Sequence, residues 1–191
     1  MNLILKPIPG APEDGPKVSA SLTTFASELI LRFQVEDPSH QIDWGEDPSA
    51  SVNNRGQDLW KKTCFELFLS RAGSDIYHEF NWAPNGAWDA FSFKSYREKR
   101  DDFVSAGTSF FSETAFELNP NGSAAAHIKI RSLHGSRLQF LIFTLAFEFQ
   151  ISMVMKLKNG ETIHSALRHS GEKPDFHKRD AFIVFSSNEI L

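Results

Sequence analysis

Two short segments, TCFELFLS at Thr63–Ser70 and YHEFNW at Tyr77–Trp82, decide the class of fold. In both segments every second side chain has a similar chemical character, as in a β-strand whose residues point to alternate faces. The pattern predicts two neighbouring strands of one sheet. It places Glu66 and the row formed by Tyr77, Glu79 and Asn81 on the same partly enclosed polar surface.

The same period of two recurs outwards from this pair. Glu28–Val35 alternates cleanly, and further strands are predicted at Ala87–Phe93, Thr114–Leu118, His127–Arg131, Leu138–Phe147, Ser152–Leu157 and Ala181–Phe185. The turn sequences Pro84-Asn85-Gly86, Asn119-Pro120-Asn121-Gly122 and Asn159-Gly160 are typical of hairpins. Tyr96–Phe103 is interpreted as a helical turn or a charged loop. Many short strands with turns between them indicate an all-β sandwich or barrel rather than alternating strands and helices, and a two-sheet antiparallel β-sandwich is the expectation.

The composition fits one domain spanning residues 1–191, because sandwiches of about 200 residues are often undivided. The 18 phenylalanines favour strands and supply apolar surface for sheets packed face to face. A net charge of −4 without a basic stripe argues against nucleic acid as a partner. The short runs Lys99-Arg100 and Lys178-Arg179 are interpreted as solvated edges.

The sequence predicts neither membrane insertion nor export. The most apolar stretch, around Leu138 to Met155, is interrupted by Gln139, Glu148 and Gln150 and is too polar to span a bilayer. The first seven residues lack the cationic flank and long apolar region of a secretory signal. The single cysteine forms no internal disulfide, so a reducing cytoplasm is the expected compartment.

Glu66 and Glu79 stand in Phe-rich strand sequence, where an ionised carboxyl group is costly unless it is paired or hydrogen-bonded. Arg55 and Arg97 are the candidate partners. Two interpretations remain open at this point. The polar cluster is either a ligand site or an internal ion pair that fixes two strands and binds nothing.

Three tryptophans, Trp44, Trp60 and Trp88, lie in or beside predicted turns. Aromatic rings beside carboxylates and amides suit sugars, because one face of a pyranose stacks on a ring while its hydroxyls need polar partners. Packing in the core is the alternative for each tryptophan. The candidate ligand-binding residues are Trp60 and Trp88 for stacking, with Glu66, Tyr77, Glu79, Asn81, Arg97 and His177 for polar contacts.

No metal or catalytic motif is recognised. Histidines concentrate from His164 to His177, but without a His-Glu-x-x-His pattern or a cysteine cluster, so no metal is predicted. A nucleophile elbow, a P-loop and a dinucleotide fingerprint are also missing. These observations favour a binding domain over an enzyme.

Three stretches resemble the bacterial DOMON-like proteins, which are related to the type 9 carbohydrate-binding modules. The first runs from Arg55 to Leu69. The second runs from Tyr77 through Trp88 and Phe93 to Tyr96-Arg97. The third runs from Ala166 through Pro174-Asp175-Phe176-His177 to Phe182. They follow one another in matching order and are spread along the chain from Arg55 to Phe182.

The resemblance implies a jelly-roll-like sandwich with a ligand site on or at the end of one sheet. It implies a non-catalytic role in binding a carbohydrate or a similar polyhydroxylated small molecule. Haem, the ligand of some DOMON relatives, is not favoured as a cofactor, because core packing explains Met153 and Met155. A glycosidase with Glu66 and Glu79 as its paired carboxylates, and a protein-interaction sandwich, are the remaining alternatives.

Overall fold

The computed structural model describes residues 2–25, 28–48, 50, 53–100, 110–132 and 147–185. Its regular elements are strands and two 3₁₀ turns, Leu59–Lys61 and Arg179–Ala181. Within the described residues, no helix has the length and apolarity needed to cross a membrane. The strands are β1 (Asn2–Pro7), β2 (Lys17–Phe25), β3 (Glu28–Glu36), β4 (Cys64–Arg71), β5 (Tyr77–Trp82), β6 (Trp88–Ser95), β7 (Glu98–Lys99), β8 (Phe110–Leu118), β9 (Ser123–Ser132), β10 (Phe147–Lys156), β11 (Thr162–Ala166) and β12 (Ile183–Phe185).

The strands form two antiparallel sheets. The first sheet has the order β1-β2-β3-β9-β8, and the second has the order β7-β6-β5-β4-β10-β11, with β12 beside the start of β10. Strand β1 belongs to both sheets. Its residues Asn2–Leu5 pair with β2, while Lys6 and Pro7 pair with β11.

The main core lies between the two sheets, as the alternating pattern predicts. Strand β3 turns Leu29, Leu31, Phe33 and Val35 into this core, and β4 turns Phe65, Leu67 and Leu69 towards them. Strand β10 contributes Ile151, Met153 and Met155, which are fully buried in the same layer. Both methionines therefore act as core side chains in the structure.

The outer face of the second sheet is also covered. A second apolar cluster on this face joins Phe68 of β4 and Tyr77 of β5 to Phe176 and Phe182, which follow β11 in the chain. Every residue of β5 is buried as a result. This explains why Tyr77–Trp82 is rich in large side chains on both faces.

The sandwich and most of its strands are confirmed. The predicted strand Leu138–Phe147 falls outside the described residues except for Phe147. The helical alternative for Tyr96–Phe103 is wrong in its described part, where a turn at Tyr96-Arg97 leads into β7.

The sequence reasoning missed β1, β2 and β11. In β2 the small Ala20 lies between the inward-facing Val18 and Leu22, so the hydrophobic alternation is weak.

Gly122 lies in the turn between β8 and β9, and this turn packs closely against the backbone of Asp37. It has φ +83°, and a Cβ added there would lie 1.9 Å from the backbone oxygen of Asp37. Gly160 has a similar φ of +89° with nothing within 4 Å, so Gly160→Ala isolates the cost of the left-handed conformation, about 1–2 kcal/mol. We expect Gly122→Ala to lower the free energy of unfolding clearly more, measured by urea denaturation. Equal losses in the two variants would contradict this packing.

Candidate functional site

A pocket of about 310 Å³ opens on the outer face of the second sheet. Strands β4, β5 and β6 supply much of its floor, and the segment from Pro174 to His177 forms one wall. Aromatic side chains line much of it: Trp60, Phe68, Phe91, Phe93 and Phe176. Polar side chains reach it from several elements: Glu66, Glu79, Arg97, Lys99, His164 and His177. The pocket thus combines flat apolar surfaces with hydrogen-bonding groups.

Glu66 and Glu79 stand side by side on the floor. Glu66 pairs across the strands with Asn81, and Glu79 pairs with Phe68, so the two glutamates are diagonal neighbours with backbones about 7–8 Å apart. Ser152 Oγ on β10 donates to Glu66 Oε2 at 2.7 Å, and Asn81 Nδ2 donates to Glu79 Oε1 at 2.7 Å. Each glutamate therefore has one carboxyl oxygen fixed by a neutral donor.

Burial shifts the protonation of this carboxyl pair. Glu66 is 3% exposed, and burial, followed by the charge of Glu79, raises its pKa to about 8, against the hydrogen bond from Ser152. Burial also raises the pKa of Glu79, although the Asn81 hydrogen bond and the charges of Lys99 and Arg97 oppose the rise. Glu66 consequently carries its proton at neutral pH, and the pair avoids two adjacent negative charges.

His177 is held as a neutral ring beside Glu79. The Tyr77 hydroxyl accepts the backbone N–H of Arg97 at 3.0 Å and lies 2.8 Å from His177 Nδ1. The hydroxyl proton is therefore left to donate to Nδ1. Burial and then the charge of Arg97 lower the pKa of His177 to about 4, with Asp175 opposing. The ring proton then sits on Nε2, which is 3.6 Å from Glu79 Oε2.

The wall of the pocket is tied to the turn before β7. Asp175 accepts hydrogen bonds from the Tyr96 hydroxyl at 2.6 Å and from Arg97 Nη2 at 3.0 Å. Partial burial raises the pKa of Asp175, but these two donors outweigh it and lower the pKa overall. The contacts with Asp175 and His177 together fix the wall segment against β5 and the turn.

Trp60 and Lys99 line another part of the pocket. Trp60 is 37% exposed and meets the ring of Phe91 edge-on, with centroids 5.7 Å apart. The ammonium of Lys99 lies 4.0 Å from the centroid of Phe91 and 5.7 Å from that of Trp60. Trp60 therefore presents an aromatic surface at the mouth of the pocket.

The structure brings most of the predicted site residues together. Trp60, Glu66, Glu79, Arg97 and His177 line the pocket. Tyr77 and Asn81 are fully buried behind it, where they hold His177 and Glu79.

Two sequence expectations need correction. Trp88 pairs with Trp82 and packs against the main core, so it lies on the face of the sheet that is turned away from the pocket. The arginines expected to neutralise Glu66 pair elsewhere. Arg55 forms a salt bridge with Asp89, and Arg97 forms one with Asp175. The Arg97 guanidinium also lies over the Tyr96 ring, which directs it to the rim.

Several residues in or beside the pocket escaped the sequence reasoning. Phe91 and Phe93 could have been found from the alternation of β6, because they share a face with Asp89 opposite Asn81. Lys99 was dismissed with its neighbour as a solvated edge. Ser152 and Phe176 carry no local signal, because their place depends on the pairing of β10 with β4 and on the path of the chain after β11.

A second depression, of about 700 Å³, is lined by Trp44, Lys62, Asn85 and neighbouring residues at the ends of β4 and β5. It is separate from the carboxyl pair, and Trp44 packs on Phe116 with centroids 5.0 Å apart. In the described part of the chain, no group of three or more His, Cys, Asp or Glu residues is placed to hold a metal ion.

Comparison with solved structures finds this fold in proteins of low sequence identity. A protein from Bacteroides uniformis ATCC 8492, described as "a putative carbohydrate-binding protein", matches with a TM-score of 0.61 and 15% identity, over 96% of this chain and 86% of that one.

Two structures of a family 9 carbohydrate-binding module from Caldicellulosiruptor kristjanssonii also match, each with a TM-score of 0.61. The complex with glucose is 10% identical and covers 97% of this chain and 83% of that one. The complex with cellotriose is 11% identical and covers 100% and 86%. No protein family and no curated protein matches the sequence. At these identities the likeness establishes the fold.

The raised pKa of Glu66 predicts a pH-dependent stability. Between the ordinary value of 4.5 and about 8, the folded protein binds more protons at Glu66 than the unfolded chain does. The free energy of unfolding therefore falls as pH rises through this window, by up to about 1.4 kcal/mol per pH unit. Glu66→Gln removes this loss, so we expect the variant to gain stability relative to the wild type from pH 5 to pH 8, in urea denaturation. Glu117→Gln, on the exposed face of β8, is the control. A constant difference between wild type and Glu66→Gln across this range would contradict the raised pKa.

Proposed function

We propose that this protein is a non-catalytic carbohydrate-binding domain whose ligand occupies the pocket beside Glu66 and Glu79. One observation carries the proposal. An aromatic-lined pocket on the outer face of a sandwich sheet holds two carboxyl groups that form no ion pair with an arginine or lysine of the described chain. Sugars match this chemistry, because their hydroxyls pair with polar groups and their C–H faces stack on rings.

The size of the pocket favours a short ligand. A volume of about 310 Å³ is at the lower end of the range for small-molecule sites, about 300–1,000 Å³. Trp60 at the mouth can stack on a sugar ring, while Arg97, Lys99 and the glutamates reach its hydroxyls. The fold of the glucose and cellotriose complexes supports a ligand of the same chemical class here. We infer recognition of one terminal sugar unit rather than the middle of a long chain.

The placement of the glutamates argues against a glycosidase. Paired carboxyl groups in these enzymes flank the scissile bond, one on each side of it. Glu66 and Glu79 instead point from adjacent strands into the same floor. A ligand on that floor meets both from one side. We therefore propose binding without turnover, and incubation with cellotriose should release no reducing sugar beyond the protein-free control.

The three stretches that resemble the DOMON-like proteins also support placing the chain among them. Although they are far apart in sequence, Arg55–Leu69, Tyr77–Arg97 and Ala166–Phe182 all contribute side chains to one pocket. Haem receives no support from the methionines, because Met153 and Met155 point into the core between the sheets.

Trp60 lines the pocket and Trp44 lines the second depression, so substituting each tryptophan tests which of the two sites holds the ligand. Glucose, cellotriose and a panel of other glycans are titrated into wild type, Trp60→Ala and Trp44→Ala, with binding followed by calorimetry. We expect Trp60→Ala to weaken binding about tenfold, because losing one stacked ring costs on the order of 1.4 kcal/mol. Trp44→Ala should bind like the wild type. The reverse result would move the ligand to the second depression, and no binding by the wild type would reject the proposed function.

A further inference from the structure

We propose that Glu66 binds the ligand as a neutral carboxylic acid, donating a hydrogen bond from Oε1 to a sugar oxygen that needs no proton of its own. This inference rests on the proposed function and specifies what the site selects. A ring or glycosidic oxygen, which can only accept, then becomes a recognised feature of the ligand. A carboxylate at this position would instead require a hydroxyl that donates.

The first support is the unequal use of the two carboxyl oxygens. Oε2 accepts the hydrogen bond from Ser152 Oγ. Oε1 has no hydrogen-bond partner among the described residues. Since Glu66 lines the pocket, Oε1 is the oxygen that a ligand can reach. The proton belongs on this oxygen, because the other one is already accepting.

The second support is the set of groups packed around Glu66. On its own strand stands Cys64, a fully buried neutral thiol whose pKa burial raises well above its usual value. On β5 stands Glu79, a carboxyl group that repels a second negative charge. On β10 stand Ser152 and Val154, and on β11 stands His164, whose pKa is lowered by burial so that the ring stays neutral.

The cations of the pocket lie elsewhere. Arg97 is paired with Asp175, and Lys99 lies over the Phe91 ring on β6, the strand that borders Glu79. Both lower the pKa of Glu79, whereas neither is a cause of the shift at Glu66. His177 is neutral near pH 7 because its pKa is about 4. Glu79 is thus the better site for the negative charge of the pair, and Glu66 keeps the proton.

Two substitutions separate a donor from an acceptor. Glu66→Gln keeps the shape and supplies an N–H donor at every pH, whereas Glu66→Leu keeps the bulk without any polar group. Cellotriose affinity is measured for wild type and both variants from pH 5.5 to 9.5, with circular dichroism as the check on folding. We expect wild-type affinity to be level to about pH 8 and then to fall tenfold per pH unit, following the ionisation of Glu66.

The variants give the deciding comparison. Glu66→Gln should bind within a few-fold of the wild type at pH 6.5 and lose the alkaline decline, whereas Glu66→Leu should bind weakly at every pH. If Glu66→Gln loses as much affinity as Glu66→Leu at pH 6.5, or if wild-type binding strengthens as pH rises, Glu66 acts as an ionised acceptor and the inference is wrong.

A ligand-free measurement keeps the inference distinct from the proposed function. The Glu66 side-chain carboxyl carbon is titrated by ¹³C NMR, assigned by comparison with Glu66→Gln. We expect a midpoint near pH 8 in the wild type and a lower midpoint in Glu79→Gln, which removes the neighbouring charge. A midpoint below about 6 overturns the inference whether or not any glycan binds. A protonated Glu66 with no glycan binding would reject the proposed function and, with it, the donor role.

Discussion

The outer face of the second sheet has to be covered, and the pocket exists because of how this is done. Strands β4 and β5 carry large side chains on both faces, so the sandwich core can bury only half of them. The chain after β11 returns across the exposed half and brings Phe176 and Phe182 onto Phe68 and Tyr77. This cover leaves an opening over the glutamates, and its edge becomes the wall of the site.

Hydrogen bonds fix the position of the segment that covers the outer face of the second sheet. Phe176 anchors the returning segment by apolar burial, but its position along the sheet is set by directed hydrogen bonds. His177 meets the Tyr77 hydroxyl, and Asp175 meets Tyr96 and Arg97. Because these donors and acceptors are used in holding the wall, they are fixed before a ligand arrives. For the ligand proposed above, a wall fixed in this way lowers the conformational cost of binding.

The sequence predicts the floor of the site better than its walls, for a physical reason. Alternation within β4 and β5 is a local property, and it correctly placed Glu66, Glu79 and Asn81 on one face. Trp88 was assigned by its nearness to a turn, although its period in β6 turns it into the core.

Long-range pairings are the part that the sequence conceals. The partners of Arg55 and Arg97 could not be derived, because Asp89 and Asp175 are separated from them by 34 and 78 residues. The same holds for Ser152 under Glu66, 86 residues away.

The double role of β1 is another such feature, since its pairing with both β2 and β11 leaves no trace in its own six residues. A molecule in which β1 detaches presents an unpaired edge on each sheet at the same moment.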